Sequence, residues 1–184
     1  SMIAPIICDA MLWKMNQVGQ NVDLAILNAG GARVSVAAGD ITVGTIYTLM
    51  PFGNTLAVLD ISGNQIIATL EDALSNIFDD GNSDGCFPYT AGLRYTAEAG
   101  KPEGERIISA EVLSAEGWVN LEPDRMYRVV TVAFVARGGD GYDTLAGLES
   151  LDTGYIDAEV FMDYLLEIGT LTPEESRVTF TQGN

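Results

Sequence analysis

Apolar positions recur near helical spacing at the start of the chain. Ile3, Ile6, Ile7, Ala10, Met11 and Met15 predict a buried helix within 3–18, beginning around Pro5, which a first helical turn tolerates. Asp9 interrupts this run and reads as a structural partner, on an exposed face or at a cap. The apolar run 24–27, closed by Asn28, has the length of a short buried strand. Residues 34–41 read as a loop, with Gly39-Asp40 as its turn, and Thr42 is placed to cap a short helix reaching Met50. A strand is expected over 55–61. Ser62 and Gln65 then form a capping-box pattern at the head of a helix of about four turns, with Ile66, Leu70, Ala73, Leu74 and Ile77 as its buried stripe.

Residues 79–85 (Asp-Asp-Gly-Asn-Ser-Asp-Gly) have the acidic density of a calcium loop. They lack the alternation and the distal glutamate of an EF-hand, so a solvated loop is the better reading. Strands are expected over 92–96 and 106–113, joined by the hairpin-like segment 100–104, and a turn at 122–124. Residues 126–133 are the strongest strand in the chain and run into Phe134-Val-Ala-Arg-Gly138-Gly139-Asp140-Gly-Tyr142. An amphipathic helix is expected over 154–168, with Ile156, Val160, Phe161, Tyr164, Leu165 and Ile168 inward and Gly169 as its stop, and a closing strand over 177–181. No internal repeat or low-complexity segment is present. Hairpin-like pairs mixed with helices predict an α/β chain of the α+β type: one domain over 1–184, a mixed β-sheet and flanking helices.

The composition narrows the chemistry. With 184 residues and 47% hydrophobic content the chain can bury a core. A net charge of −17 excludes nucleic acid, which needs a basic footprint, and disfavours anionic membranes. The acidity reads as a solubility device or an adaptation to salt. No histidine is present, which removes the commonest general base and excludes a zinc site of Cys and His. Cys8 and Cys86 leave one disulfide open, with buried free thiols the simpler reading. No stretch of about 18 apolar residues suggests a membrane span, and no signal peptide is visible. Ser1-Met2 reads as a cloning remnant ahead of a domain cut from a longer protein.

Catalytic arrangements fare poorly. Ser-His-Asp and Cys-His pairs are impossible, and neither a P-loop nor a dinucleotide fingerprint occurs. Nothing singles out one carboxylate pair among 26 acidic residues. Binding chemistry is better represented. Asn28, Arg33, Phe52, Phe134 and Asp140 lie on or beside Gly-rich turns, where Gly30, Gly31, Gly53, Gly138 and Gly139 let the backbone bend or approach a ligand. Two phenyl rings can hold a heterocycle between them. A carboxylate can accept from two vicinal hydroxyls, an amide can meet a base edge, and a guanidinium can fork onto phosphate. Taken singly, each has a plainer reading: a core phenylalanine, a tight turn, a packing arginine such as Arg94. Together they describe a site for a nucleotide.

Five motifs in order carry a resemblance. They are Ile7-Cys8-Asp9-Ala10-Met11, Asn28-x-Gly-Gly-x-Arg33, Pro51-Phe52-Gly53-Asn54, Gly92-Leu93-Arg94-Tyr95 and Phe134-x-x-x-Gly-Gly-Asp140-Gly-Tyr142. From about residue 3 to 182 the chain resembles the C-terminal domain of the 5′-nucleotidase family, which includes UDP-sugar hydrolases and 2′,3′-cyclic-nucleotide phosphodiesterase/3′-nucleotidases. The resemblance implies that the base stacks between Phe52 and Phe134, that Asp140 holds the ribose, that Asn28 meets the base edge and that Arg33 helps hold phosphate. It also implies an N-terminal metallophosphoesterase domain, not included in this sequence, that carries divalent metal ions and the catalysis. This chain alone is then inactive and holds no cofactor. Its partners are a nucleotide or nucleoside and that upstream domain, and the parent protein is periplasmic or extracellular. The alternative is a non-catalytic ligand- or protein-binding module on the same scaffold. Departures from the family pattern are Ala4-Pro5 for Gly-Asn, Ala133 for the asparagine before the second phenylalanine, and a missing upstream arginine. They leave substrate preference open.

Overall fold

A computed structural model describes residues 2–79, 81, 84–172 and 177–181. Among these, helix α1 (Ala4–Gln17) carries Pro5 in its first turn and is followed by strand β1 (Leu24–Asn28), every residue of which is buried. Helix α2 (Val43–Leu49) and strand β2 (Thr55–Ser62) come next, then the long helix α3 (Gly63–Phe78). Both helices begin in capping boxes, of which the sequence pattern showed the one at Ser62 and only the cap residue at Thr42. Thr42 accepts from the Thr45 amide, and Ser62 from that of Gln65, so orphan amides at each N-terminus are satisfied by local side chains. Strands β3 (Pro88–Ala91), β4 (Leu93–Glu98), β5 (Ile107–Ser114), β6 (Gly117–Asn120) and β7 (Met126–Val132) follow. The chain closes with the single turn α4 (Ala133–Ala136), strand β8 (Leu151–Ile156), helix α5 (Asp157–Ile168) and strand β9 (Val178–Thr181).

The strands form two mixed sheets rather than one: a five-stranded sheet in the order β3-β1-β7-β2-β8 and a four-stranded sheet in the order β6-β5-β4-β9. β1 runs parallel to β7, and β2 antiparallel to it, with Leu56 opposite Val132. Gly92 marks the passage from the first sheet to the second. It sits at φ +67°, and a Cβ there would lie 2.5 Å from the Asp23 carbonyl oxygen, so the expected strand 92–96 starts one residue later. α3 ties the sheets together. Buried Glu71 accepts from the Gly104 and Ile107 amides at 3.1 and 2.5 Å. Buried Arg106 donates to Ser75 at 2.8 Å and Asp79 at 2.6 Å.

Other expectations need adjusting. The helix expected over 154–168 loses its first three residues to β8, because Ile156 pairs with Thr55 of β2 and Gly154 takes φ +73°. Strands β3 and β6 were not legible; each has four residues, too few for a period to show. Asp9 is structural, accepting from Arg177 at 2.6 Å and so fastening α1 to the start of β9. Cys8 and Cys86 are buried free thiols, and burial pushes both thiols up, which keeps them protonated and unreactive. Within the acidic segment, Asp80, Asn82 and Ser83 lie outside the described residues.

Candidate functional site

The topology brings the sequence motifs to one end of the first sheet. β1 and β7 are parallel, so Asn28 and the segment beginning at Ala133 leave the sheet at the same end. β2 is antiparallel to β7, so Phe52, Gly53 and Asn54, which precede it, arrive there as well. Three turns distant in sequence meet because of the directions of these three central strands.

Asp140 occupies the left-handed region at φ +56°, which an aspartate tolerates better than most residues. Its carboxylate accepts from the Asn28 amide at 2.6 Å. Its carbonyl accepts from the Asn76 amide of α3 at 2.9 Å. Asn28 is 4% exposed, and its amide oxygen has no hydrogen-bond partner among the described residues. Gly30 lies beneath this pair: a Cβ there would stand 3.2 Å from the Asn28 amide nitrogen and 3.3 Å from the Asp140 carboxylate. Gly31 has the Leu27 side chain 3.1 Å from its own Cβ position. The segment after Asp140 is anchored by Tyr142, fully buried, whose hydroxyl donates to the Cys86 carbonyl at 2.8 Å; burial raises that phenol well above its ordinary value.

Both phenyl rings reach solvent, Phe52 at 60% and Phe134 at 44% exposure, whereas Tyr142 is sealed. The Phe134 ring lies on Gly139, where a Cβ would come within 2.5 Å of it. Gly138, at φ +87°, makes the turn that places Gly139 there. Arg33 lies 5.6 Å from the centre of the Phe52 ring, within cation–π range, and its own amide is bound to the Leu49 carbonyl at 2.9 Å. Gly53 follows Phe52 at φ +61°.

A cleft of about 500 Å³ opens here, lined by Gly53, Asn54 and Thr55 on one side and Ala133, Phe134, Arg137, Gly138 and Gly139 on the other. Arg33 faces a separate, wider hollow of about 1240 Å³ between the 32–41 loop and the end of α5, lined chiefly by apolar residues. The site therefore has a carboxylate held by an amide, two open rings, an open cleft beside one of them and a cation over the other. Such a surface can stack a flat ring, accept from hydroxyls and attract an anion. Among the described residues no group of three His, Cys, Asp or Glu side chains is gathered that could hold a metal ion.

Sequence reasoning missed Asn54, Thr55 and Arg137 as cleft residues, and Asn76 as the support of Asp140. Asn54 was in view as part of a motif; Asn76 had no signal, since it lies on a helix whose contact with residue 140 is purely tertiary. Arg94 is not part of this site. It pairs with Glu111 at 2.6 Å and lies 4.6 Å from the Trp118 ring on the second sheet.

Comparison with known proteins identifies the family of the chain. The family described as 5′-nucleotidase, C-terminal domain, matches residues 1–147. The Bacillus subtilis trifunctional nucleotide phosphoesterase protein YfkN is 40% identical over 165 residues, covering 89% of this chain and 11% of that protein. The NAD 5′-nucleotidase of Haemophilus influenzae is 41% identical over 155 residues, covering 79% of this chain and 26% of that protein. The crystal structure of a 5′-nucleotidase precursor from Thermus thermophilus superposes with a TM-score of 0.88 at 41% identity, over 98% of this chain and 35% of that one. The chain thus spans about a third or less of the relatives it matches.

Proposed function

The chain belongs to the 5′-nucleotidase C-terminal domain family, and on that premise we propose that it is the nucleoside-recognition part of a metal-dependent nucleotidase. The observation that supports this reading is that the turns carrying the two solvent-open rings of Phe52 and Phe134 and the carboxylate of Asp140 lie at the same end of the first sheet. The base stacks on Phe52 and Phe134, and Asp140 accepts from the two ribose hydroxyls. Asn28 orients that carboxylate from behind and meets the ligand from the ribose side. Arg33, beside Phe52, meets the phosphate. Hydrolysis of the phosphate ester, and the divalent ions for it, belong to an upstream metallophosphoesterase domain of a periplasmic or extracellular parent. This chain alone turns over no phosphate ester.

Calorimetric titration with AMP, adenosine, UMP and UDP-glucose tests the reading; saturable binding of nucleosides is expected. Asp140→Asn keeps a residue that tolerates the left-handed backbone but removes the charge. It is expected to weaken ribonucleosides by about 1.5–3 kcal/mol, the range for hydrogen bonds to a charged group, and to leave 2′,3′-dideoxynucleosides unaffected. No nucleoside binding at millimolar concentration would remove the reading. So would a robust metal-dependent phosphatase rate from the pure chain.

A further inference from the structure

We infer that Arg137 reads the outer edge of the base and makes the site prefer 6-oxopurine nucleosides to adenine ones. The inference rests on the nucleoside site described above and names the base that site takes. Arg137 lines the cleft three residues after Phe134, opposite Asn54 and Thr55. Of nine lysines and arginines in a chain of net charge −17, six are held in ion pairs. Among the described residues Arg33, Lys101 and Arg137 are not, and two of these three flank the candidate site. The nearby carboxylate of Asp152 does not claim Arg137. It is engaged by the Gly154 amide at 3.0 Å and by the Thr55 side chain, which hold that carboxyl below its ordinary value, with a smaller contribution from the charge of Arg137.

The sheet order fixes what Arg137 can meet. Asp140 is held at the end of β1 by Asn28, whereas Arg137 shares its cleft with the start of β2, and β2 is followed by β8. With its ribose on Asp140 and its base on Phe134, a nucleoside extends the far edge of the base toward β2 and Arg137. A guanidinium only donates. It matches the paired acceptors O6 and N7 of guanine or hypoxanthine, the bidentate geometry by which arginine selects guanine. Adenine places an amino donor at that position and leaves the arginine without a second acceptor.

Inosine and adenosine differ only along this edge, at the 6-substituent and the proton on the adjoining N1, and neither carries a phosphate, so calorimetry with the two nucleosides isolates the edge. Inosine is expected to bind roughly tenfold more tightly than adenosine to the parent chain. In Arg137→Ala, an exposed replacement expected to fold, inosine falls to the level of adenosine while adenosine stays within about twofold. The inference is overturned if adenosine binds the parent equally well or better, if the preference survives in Arg137→Ala, or if both nucleosides weaken together. It is also overturned if IMP weakens while inosine does not, which would put Arg137 on the phosphate. Each of these outcomes leaves the nucleoside site standing; failure of both nucleosides to bind the parent removes the site itself.

Discussion

Replacing Phe52 and Phe134 together by alanine is expected to weaken nucleoside binding by about 2–6 kcal/mol, taking about 1–3 kcal/mol for each base–aromatic contact. Both rings are largely open, at 60% and 44% exposure, so little folding energy rests on them and the double variant should melt close to the parent. The two single variants should not be equivalent. Phe134 is seated on Gly139 and is fixed before the ligand arrives. Phe52 has the Arg33 guanidinium 5.6 Å from its centre, so Phe52→Ala also releases the cation proposed above to meet the phosphate. Phe52→Ala should therefore cost more with AMP than with adenosine, and Phe134→Ala about the same with both. Calorimetric titration of the parent, the two singles and the double, with thermal melts alongside, measures this. Double-variant affinity within twofold of the parent would show that the rings are not the platform.

Gly141→Ala is expected to lower stability by about 2–6 kcal/mol and to abolish nucleoside binding with it. Gly141 sits at φ +77°, where a residue with a Cβ stores strain of about 1–3 kcal/mol. The new methyl would also overlap the Asn76 amide, which must then give up the Asp140 carbonyl it holds at 2.9 Å. A carbonyl left without its donor costs about 1–3 kcal/mol more if it stays dry. Adding Asn76→Ala should recover the part due to overlap and leave the part due to backbone strain, a non-additivity that a urea-unfolding cycle reads directly. A loss below about 1 kcal/mol in Gly141→Ala would mean that the turn carrying Asp140 is more pliable than the geometry requires.

Local chemistry in the sequence was legible wherever it satisfied a local need. Thr42 and Ser62 cap α2 and α3 as expected because a capping box is written within four residues. The strand at 24–28 was legible from an unbroken apolar run, which is how a strand buried on both faces looks, and the strand starting at Met126 from its β-branched and mostly apolar composition. The start of α5 was not, because Tyr155 and Ile156 fit a helical stripe equally well, and only pairing of Ile156 with Thr55 decides for a strand. The division of the strands into two sheets depends on Gly92 being crowded by the Asp23 carbonyl, a contact between distant residues that no local pattern announces. The turns that carry the motif residues reach one end of the first sheet, but the contacts that support them were not legible. The Asn28 amide nitrogen donates to Asp140 while its amide oxygen has no partner among the described residues, a tertiary pairing with no local signal, and Arg33 and Phe134 border different hollows.

The central claim is that a base lies against both Phe52 and Phe134 at the end of the five-stranded sheet. Intermolecular nuclear Overhauser effects between a bound nucleoside and the chain test it most directly. The account predicts contacts from the base protons to the ring protons of both phenylalanines, and from the ribose protons to the segment around Asp140. Base contacts to neither ring, or contacts confined to the Arg94–Trp118 face of the other sheet, would contradict it.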